Sequence, residues 1–262
     1  MKNNLTFQFI ITVFISTWFI WAFAVLSSLG IIDFFIPTAL MVIFGTFMPS
    51  IIGLFFLIRY DKIKLKEILK NTFLLKGDTK YLTLVFILMP VIFSLTYIIT
   101  TIFFGTTYDL PWLSRPFELP ILFLYILVLG GPLGEEIGWR GFLLPRLLKN
   151  RSAFQASLLL GTLWAMWHIP LFLIEGTVQS SISFLIYFMY TVILTFFITF
   201  LYLKTDKRTS TALYMHTSAN MAIGVFYVID QSIGIIFVGI FMLGFLAFLL
   251  LKNKETFFFN QK

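Results

Sequence analysis

The sequence has no cysteine and little charge: of its 262 residues only 12% are charged, whereas 59% are hydrophobic. Without cysteine the chain has no disulfide bonds, no thiol nucleophile and no thiolate metal site. An ordinary soluble domain contains about 25% charged and about 45–50% apolar residues. These proportions exclude a disordered chain, a soluble enzyme and a nucleic-acid-binding domain. They predict an integral membrane protein whose immediate partner is the lipid bilayer.

The hydrophobic residues form long continuous runs, which favour transmembrane helices over the alternating strands of a membrane barrel. A helix needs about 20 apolar residues to cross a bilayer. Eight segments have this length: about 8–29, 36–58, 82–104, 119–139, 154–174, 182–203, 211–229 and 233–251. There is no repeat and no linker. We therefore predict an all-α polytopic bundle of about eight transmembrane helices, forming a single domain over residues 1–262.

The basic residues are distributed unevenly between the loops. If the eight segments alternate across the membrane, 18 of the 19 lysines and arginines lie on one side, and only Arg115 lies on the other. Basic loops stay in the cytoplasm. Both termini are therefore predicted to be cytoplasmic.

The loop at 59–80 contains lysines interleaved with apolar residues, among them Lys66, Ile68, Leu69 and Lys70. Such a segment can lie along the anionic inner leaflet as an amphipathic helix. Its charges can equally serve only to set the topology. Both interpretations are open at this point.

A few polar residues fall inside or at the ends of the predicted membrane helices: Glu135, Glu136, His168, His216 and Asn220. Ionisable groups are costly in a bilayer, and those that occur there usually serve function. Both histidines of the chain are in this set. We take these residues as candidates for a catalytic site.

Helical spacing separates the two glutamates into different roles. Glu136 and Arg140 are four residues apart with the acid first, the favourable order for an ion pair on one helix face. Glu135 is rotated from Glu136 by about 100°. One carboxylate is thus expected to be neutralised by arginine, while Glu135 is unpaired and partly desolvated, which suits a general base or acid.

The remaining candidates lie on two later helices. Trp164 precedes His168 by one turn and is expected to pack against its ring, and His216 and Asn220 share another helix face. One carboxylate, two imidazoles and an amide can activate water and stabilise an oxyanion.

The same groups offer a second possibility, in which Glu135, His168 and His216 bind a catalytic zinc ion. The His-Glu-x-x-His signature of soluble zinc proteases is absent, as is the Gly-x-Ser-x-Gly nucleophile motif. We favour a mechanism without a cofactor, because the third zinc ligand would also have to be the base.

Three motifs together resemble the CPBP family of intramembrane proteases, which contains the type II CAAX prenyl endopeptidases and the Abi-type bacteriocin-immunity proteins. The motifs are Glu135-Glu136-x-x-x-Arg140, Trp164-x-x-x-His168 and His216-x-x-x-Asn220. The family more often has phenylalanine where this chain has tryptophan. The similarity covers residues of about 120–225, which we take as the catalytic core.

The resemblance implies specific roles for these residues. Glu135 and His168 would activate water, and His216 and Asn220 would stabilise the oxyanion. Glu136, Arg140 and Trp164 would support the site. The family has been described both as metalloproteases and as glutamate proteases.

The leading hypothesis is an intramembrane endopeptidase that cleaves a peptide or protein substrate near the cytoplasmic face of a bacterial plasma membrane. An alternative from another class is a non-catalytic immunity or scaffold protein of the Abi type. A proton-coupled transporter is a third possibility. Two matching halves with broken helices would favour it, and the sequence shows no such halves.

The depth of the candidate residues is difficult to reconcile with these spans. Glu135 falls at the inner end of its helix, whereas His168 lies about 22 Å along its own if that helix begins at Ala153. We therefore expect the helix of His168 to start in the cytosol or to tilt. A break at Gly130-Gly131-Pro132 is also expected, since proline removes a helical hydrogen bond.

Overall fold

The computed structural model describes residues 2–259, with side chains from residue 5 onward. Within this range it is helical and contains no β-strand. The α-helices are α1 (Lys2–Ser28), α2 (Thr38–Arg59), α3 (Leu65–Phe73), α4 (Thr79–Phe104), α5 (Glu118–Leu129), α6 (Pro132–Glu136), α7 (Leu144–Leu148), α8 (Ala153–Trp167), α9 (Phe184–Lys204), α10 (Thr209–Phe226), α11 (Ser232–Lys252) and α12 (Lys254–Phe258).

Seven of the described helical segments are long and apolar enough to cross a membrane. They are Leu5–Ser28, Thr38–Arg59, Thr79–Phe104, Glu118–Leu148, Ala153–Leu173, Phe184–Lys204 and Ser232–Lys252. They correspond to seven of the eight predicted spans. The prediction of an all-α polytopic membrane protein is confirmed.

The one remaining predicted span, 211–229, is helix α10 at Thr209–Phe226. It is less apolar than the seven, and most of its residues are buried. It packs against α4, α9 and α5. The polar side chains of α10 therefore contact protein, which is how polar groups are tolerated within a membrane bundle.

Large apolar side chains cover much of the outer surface of the bundle. Phe7, Ile15 and Phe19 on α1 and Ile102 and Phe103 on α4 are all more than 60% exposed. A soluble protein does not expose contiguous apolar surface on this scale. The outer helix faces are therefore suited to contact lipid.

The expected break at Gly130-Gly131-Pro132 is confirmed. Helix α5 ends at Leu129 and α6 begins at Pro132, the first-turn position where proline needs no hydrogen-bond partner. Between them Gly131 has a φ of +113°, which a residue with a side chain rarely adopts. The break lets the chain change direction just before the two glutamates.

The predicted end of the fourth span at residue 139 is wrong, because the helical segment continues to Leu148. Residues Ile137–Leu143 form a π-helix between α6 and α7. In the sequence Arg140 marks the expected cytoplasmic end of the span, but in the structure its side chain is fully buried. An ion pair with Glu136 allows this charge to stay inside the bundle.

This longer segment removes the mismatch in depth. Glu135 precedes the end at Leu148 by 13 residues, and His168 follows the start of α8 at Ala153 by 15 residues. At 1.5 Å per residue both lie about 20 Å from the same end of two antiparallel segments. Helix α8 begins at Ala153, as the depth estimate assumes, and the predicted position of Glu135 at the inner end of its helix is wrong.

Close packing against α2 fixes the π-helical segment. Gly53 of α2 faces Gly138. A Cβ added to Gly53 would lie only 2.6 Å from the Cα of Gly138. The Ser50 hydroxyl accepts a hydrogen bond of 3.2 Å from the backbone N–H of Ile137. Small residues allow two membrane helices to approach in this way.

The loop at 59–80 contains the short amphipathic helix α3. Its side chains Ile68 and Thr72 are buried, whereas Lys66 and Lys70 are exposed. Helix α3 contacts the first turns of α10. It therefore covers the end of the helix that carries His216.

Candidate active site

A cavity of about 390 Å³ lies inside the bundle between the helices that carry the three sequence motifs. Glu135 of α6, His168 at the end of α8, and His216 and Asn220 of α10 all line it. Trp164 of α8 completes this wall. The four candidate catalytic residues, separated by up to 85 positions in the chain, thus share one cavity.

Glu136 and Arg140 form the ion pair that their spacing predicts. The Arg140 guanidinium donates to Glu136 Oε1 over 3.0 Å, and both side chains are completely buried. A second guanidinium nitrogen of Arg140 donates to the Thr195 hydroxyl at 3.2 Å. The guanidinium also lies 4.2 Å from the centre of the Trp164 ring. Burial makes this pair sensitive to loss of either partner.

Glu135 is in a different environment, although it is adjacent in sequence. Its side chain is 3% exposed. No basic side chain among residues 5–259 lies within 4.0 Å of its carboxylate oxygens. Its Oε2 accepts a hydrogen bond from the indole N–H of Trp164. Glu135 is therefore a buried carboxylate that faces the cavity without an ion-pair partner.

The hydrogen bond from Trp164 to Glu135 is a contact that the sequence did not predict. The ring of Trp164 also packs against His168, with 5.9 Å between ring centres, as its one-turn spacing suggested. The sequence holds one sign of this contact: Trp164 stands where the family more often has phenylalanine. Unlike phenylalanine, tryptophan has an N–H donor.

Gly131 leaves room for the Glu135 carboxylate. A Cβ on Gly131 would lie 2.7 Å from Glu135 Oε1 and 3.8 Å from Cε1 of His216. The glycine is therefore needed for its backbone conformation and for the close approach of the carboxylate.

His168 is held at the C-terminal end of α8 by the backbone. Its Nδ1 lies 2.7 Å from the carbonyl oxygen of Trp164. Because a carbonyl can only accept, Nδ1 carries the proton and donates, and Nε2 of the neutral ring has a free lone pair. The rings of Trp167 and Tyr187 lie 4.6 Å and 5.2 Å from the imidazole centre.

His216 is oriented by the other glutamate. Its Nδ1 lies 2.9 Å from Glu136 Oε1, the same oxygen that accepts from Arg140. The carboxylate accepts from Nδ1–H, so Nε2 is again the nitrogen left for another partner. Glu136 therefore connects Arg140 to His216, across 80 residues of sequence.

Asn220 lies one turn after His216 and is held by the break in the fourth span. Its Nδ2 donates to the carbonyl oxygen of Gly130 over 3.1 Å. An amide nitrogen has two N–H groups, so a second donor is left. This fixes Asn220 beside Glu135 and His216 on the cavity wall.

The acidic and histidine side chains of the cavity do not form a three-ligand metal site. Among the described residues, no three His, Asp or Glu side chains are close enough together to hold a metal ion. The set Glu135, His168 and His216 does not converge on one point as three zinc ligands must.

The part of the sequence that forms this cavity is similar to known proteins. The model of the family described as type II CAAX prenyl endopeptidase, Rce1-like, matches residues 117–222. The CAAX prenyl protease 2 of Methanococcus maripaludis is 30% identical over 227 residues, which cover 82% of this chain and 82% of the relative.

The chain belongs to the type II CAAX prenyl endopeptidase family. It is therefore a membrane-embedded peptidase, which the resemblance in the motifs also implied. The part matched by the family model extends from the start of α5 into α10 and includes every candidate site residue.

The wall of the cavity in this family member includes residues that sequence analysis missed. Tyr187 and Tyr190 of α9 line it, together with Gln179 from the loop before α9. Gln179 Nε2 donates to the Tyr187 hydroxyl at 3.4 Å. Nothing in an apolar span rich in aromatic residues marks these two tyrosines, because their position depends on how α9 packs on α8.

Proposed function

We propose that this family member is an intramembrane endopeptidase in which Glu135 and His168 activate water. His216 and Asn220 stabilise the oxyanion, and Glu136 and Arg140 hold His216. The observation that carries this proposal is the unequal environment of two adjacent carboxylates. Glu136 is occupied by Arg140 and His216, whereas Glu135 faces the cavity without an ion-pair partner.

In the first step a water molecule between Glu135 and His168 loses a proton. The Nε2 lone pair of His168 accepts one hydrogen bond from this water, and the Glu135 carboxylate takes the other proton. The oxygen attacks the carbonyl carbon of the scissile peptide bond. The indole N–H of Trp164 fixes the carboxylate for this transfer.

The tetrahedral intermediate carries its negative charge on the former carbonyl oxygen. The second N–H of Asn220 and Nε2–H of a doubly protonated His216 donate to this oxygen. Glu136 accepts from Nδ1–H of that imidazolium and already neutralises Arg140, so the charge that balances the imidazolium is that of the oxyanion itself. Glu135 then gives its proton to the peptide nitrogen, the C–N bond breaks, and the carboxylate is restored.

We propose that the substrate carries an apolar chain beside the bond that is cut. An apolar crevice of about 330 Å³ between α9 and α11 shares Val178, Tyr187, Tyr190 and Ile223 with the catalytic cavity. The relative from Methanococcus maripaludis is named a prenyl protease. A prenyl group or another hydrocarbon chain has the chemistry of this crevice. We place the protein in a bacterial plasma membrane with both termini in the cytoplasm, as the basic loops predict.

The test uses the purified full-length protein in liposomes with membrane-anchored peptides, some carrying a prenyl group, and detects new peptide ends by mass spectrometry. Wild type is expected to cleave, and Glu135→Gln to lose at least about 10³-fold in rate. Glu175→Gln, at an exposed carboxylate, is the control and should cleave like wild type. Cleavage by Glu135→Gln at the control rate would contradict the proposal.

A further inference from the structure

A third concave site lies at the end of the bundle where α9 connects to α10. It is an open cleft of about 660 Å³, formed where α3, the loop after it and the connection from α9 to α10 meet. Five basic side chains line it: Lys70, Lys76, Lys204, Lys207 and Arg208. They come from two regions of the chain that are more than 120 residues apart.

The cleft has an excess of positive charge. Its carboxylates are Glu67 and Asp206, which against the five cations leave three positive charges. Asp206 is already paired with Lys76 at 3.0 Å. Lys70 and Lys207 are in none of the ion pairs found among the described residues. These two ammonium groups are exposed and available to an anion.

The backbone around the cleft is held in place. The Arg208 guanidinium donates to the carbonyl oxygens of Lys70 and Leu74, at 3.3 and 3.2 Å, and so joins α3 to the start of α10. Asp206 and Lys207 both have a positive φ, which forms a tight turn between α9 and α10. The lysines are therefore brought together by a fixed turn and a docked helix.

Topology alone does not require this convergence. Lys62, Lys64 and Lys66 belong to the same basic loop as Lys70 but do not line the cleft. For setting topology all four charges are equivalent, because only the side of the membrane matters. A site for an anion instead needs the charges around one point.

We infer that this cleft binds a phosphate group of an anionic lipid. Lysine and arginine donors bind phosphate oxygens through charge-assisted hydrogen bonds. The apolar span Phe184–Lys204 ends at the cleft, so the cleft lies at the level of the lipid headgroups. A bound headgroup links α3, the end of α9 and the start of α10, the helix that carries His216.

The experiment measures thermal unfolding of the full-length protein in a neutral detergent during titration with dioctanoyl phosphatidylglycerol, dioctanoyl phosphatidylcholine or inorganic phosphate. A ligand that binds only the folded state raises the midpoint as its concentration increases. Two matched double variants are compared. Lys70→Gln with Lys207→Asn changes the cleft, and Lys66→Gln with Lys62→Asn removes the same charge elsewhere. Each pair has one position on α3 and one with positive φ.

Phosphatidylglycerol is expected to stabilise wild type and the Lys66/Lys62 variant alike, and to bind the Lys70/Lys207 variant about tenfold or more weakly. The effect should fall with added salt. Equal affinity for both double variants, or equal stabilisation by phosphatidylcholine, would overturn the inference. An equal effect of inorganic phosphate would overturn the assignment to a lipid. If the cleft variant unfolds early without ligand, Lys70→Gln is compared with Lys66→Gln alone.

Discussion

The substitution Arg140→Leu removes one member of the buried ion pair and leaves the carboxylate of Glu136 with only its hydrogen bond from His216. Both side chains of the pair are completely buried, so no water can replace the lost guanidinium. Breaking a buried pair by removing one partner costs about 3–5 kcal/mol. For a chain of this size about 4 kcal/mol lowers the midpoint of thermal unfolding by about 10 °C.

Arg146→Leu is the matched control, because Arg146 also pairs with a carboxylate and lies only six residues further along. Its ion pair with Asp61 is partly exposed, with side chains 15% and 31% accessible. Such a pair contributes at most about 1 kcal/mol. Loss of the hydrogen bond from Arg146 to the Phe142 carbonyl adds a similar amount. The midpoint should therefore fall by at most about half as much as in Arg140→Leu.

The assay is thermal unfolding in one detergent at one scan rate, because membrane proteins unfold irreversibly and the midpoint then depends on that rate. The double variant Glu136→Gln with Arg140→Leu has no stranded charge and should regain part of the loss. If Arg140→Leu were no less stable than Arg146→Leu, or if the losses in the double variant simply added, Arg140 and Glu136 would not be a coupled buried pair.

Three further substitutions test how the cavity is built, each with kcat and KM measured on a membrane-anchored peptide. Trp164→Phe removes the N–H donor to Glu135 and should lower kcat by about 10–100-fold, whereas Trp167→Phe removes an indole N–H without a partner and should change kcat little. Gly131→Ala should lower kcat at least about tenfold more than the control Gly176→Ala. Both glycines have a positive φ, but only a Cβ on Gly131 would contact Glu135. Asn220→Ala should reduce kcat by about 10²–10³-fold with little change in KM, and the exposed Asn150→Ala should not. Losses in each variant equal to those in its control would refute the assigned contact.

The sequence predicted those parts of the molecule that depend on residues close together in the chain. Continuous apolar runs located the seven long segments and α10, because a bilayer imposes one minimum length on every span. The pair of Glu136 and Arg140 followed from a spacing of four residues on one helix. The break before the glutamates followed from the sequence Gly130-Gly131-Pro132.

The parts that were missed depend on contacts between distant segments. The hydrogen bond from His216 to Glu136 joins positions 80 residues apart, and the hydrogen bond from Trp164 to Glu135 joins two different helices. The end of the fourth span was placed too early because a buried arginine and an exposed one look the same in a sequence. Arg140 can be buried because Glu136 and Thr195 accept hydrogen bonds from its guanidinium, and Thr195 is distant in the sequence.

The most direct test of the central claim compares Glu135→Gln with Glu136→Gln, measuring peptide cleavage and thermal unfolding on the same preparations. Glu135 is proposed as the base and has no ion-pair partner, so Glu135→Gln should lose cleavage while its midpoint stays within about 3 °C of wild type. Glu136→Gln leaves Arg140 buried and should unfold about 10 °C lower. An equal loss of thermal stability in the two variants would contradict the assignment of Glu135 as a free base.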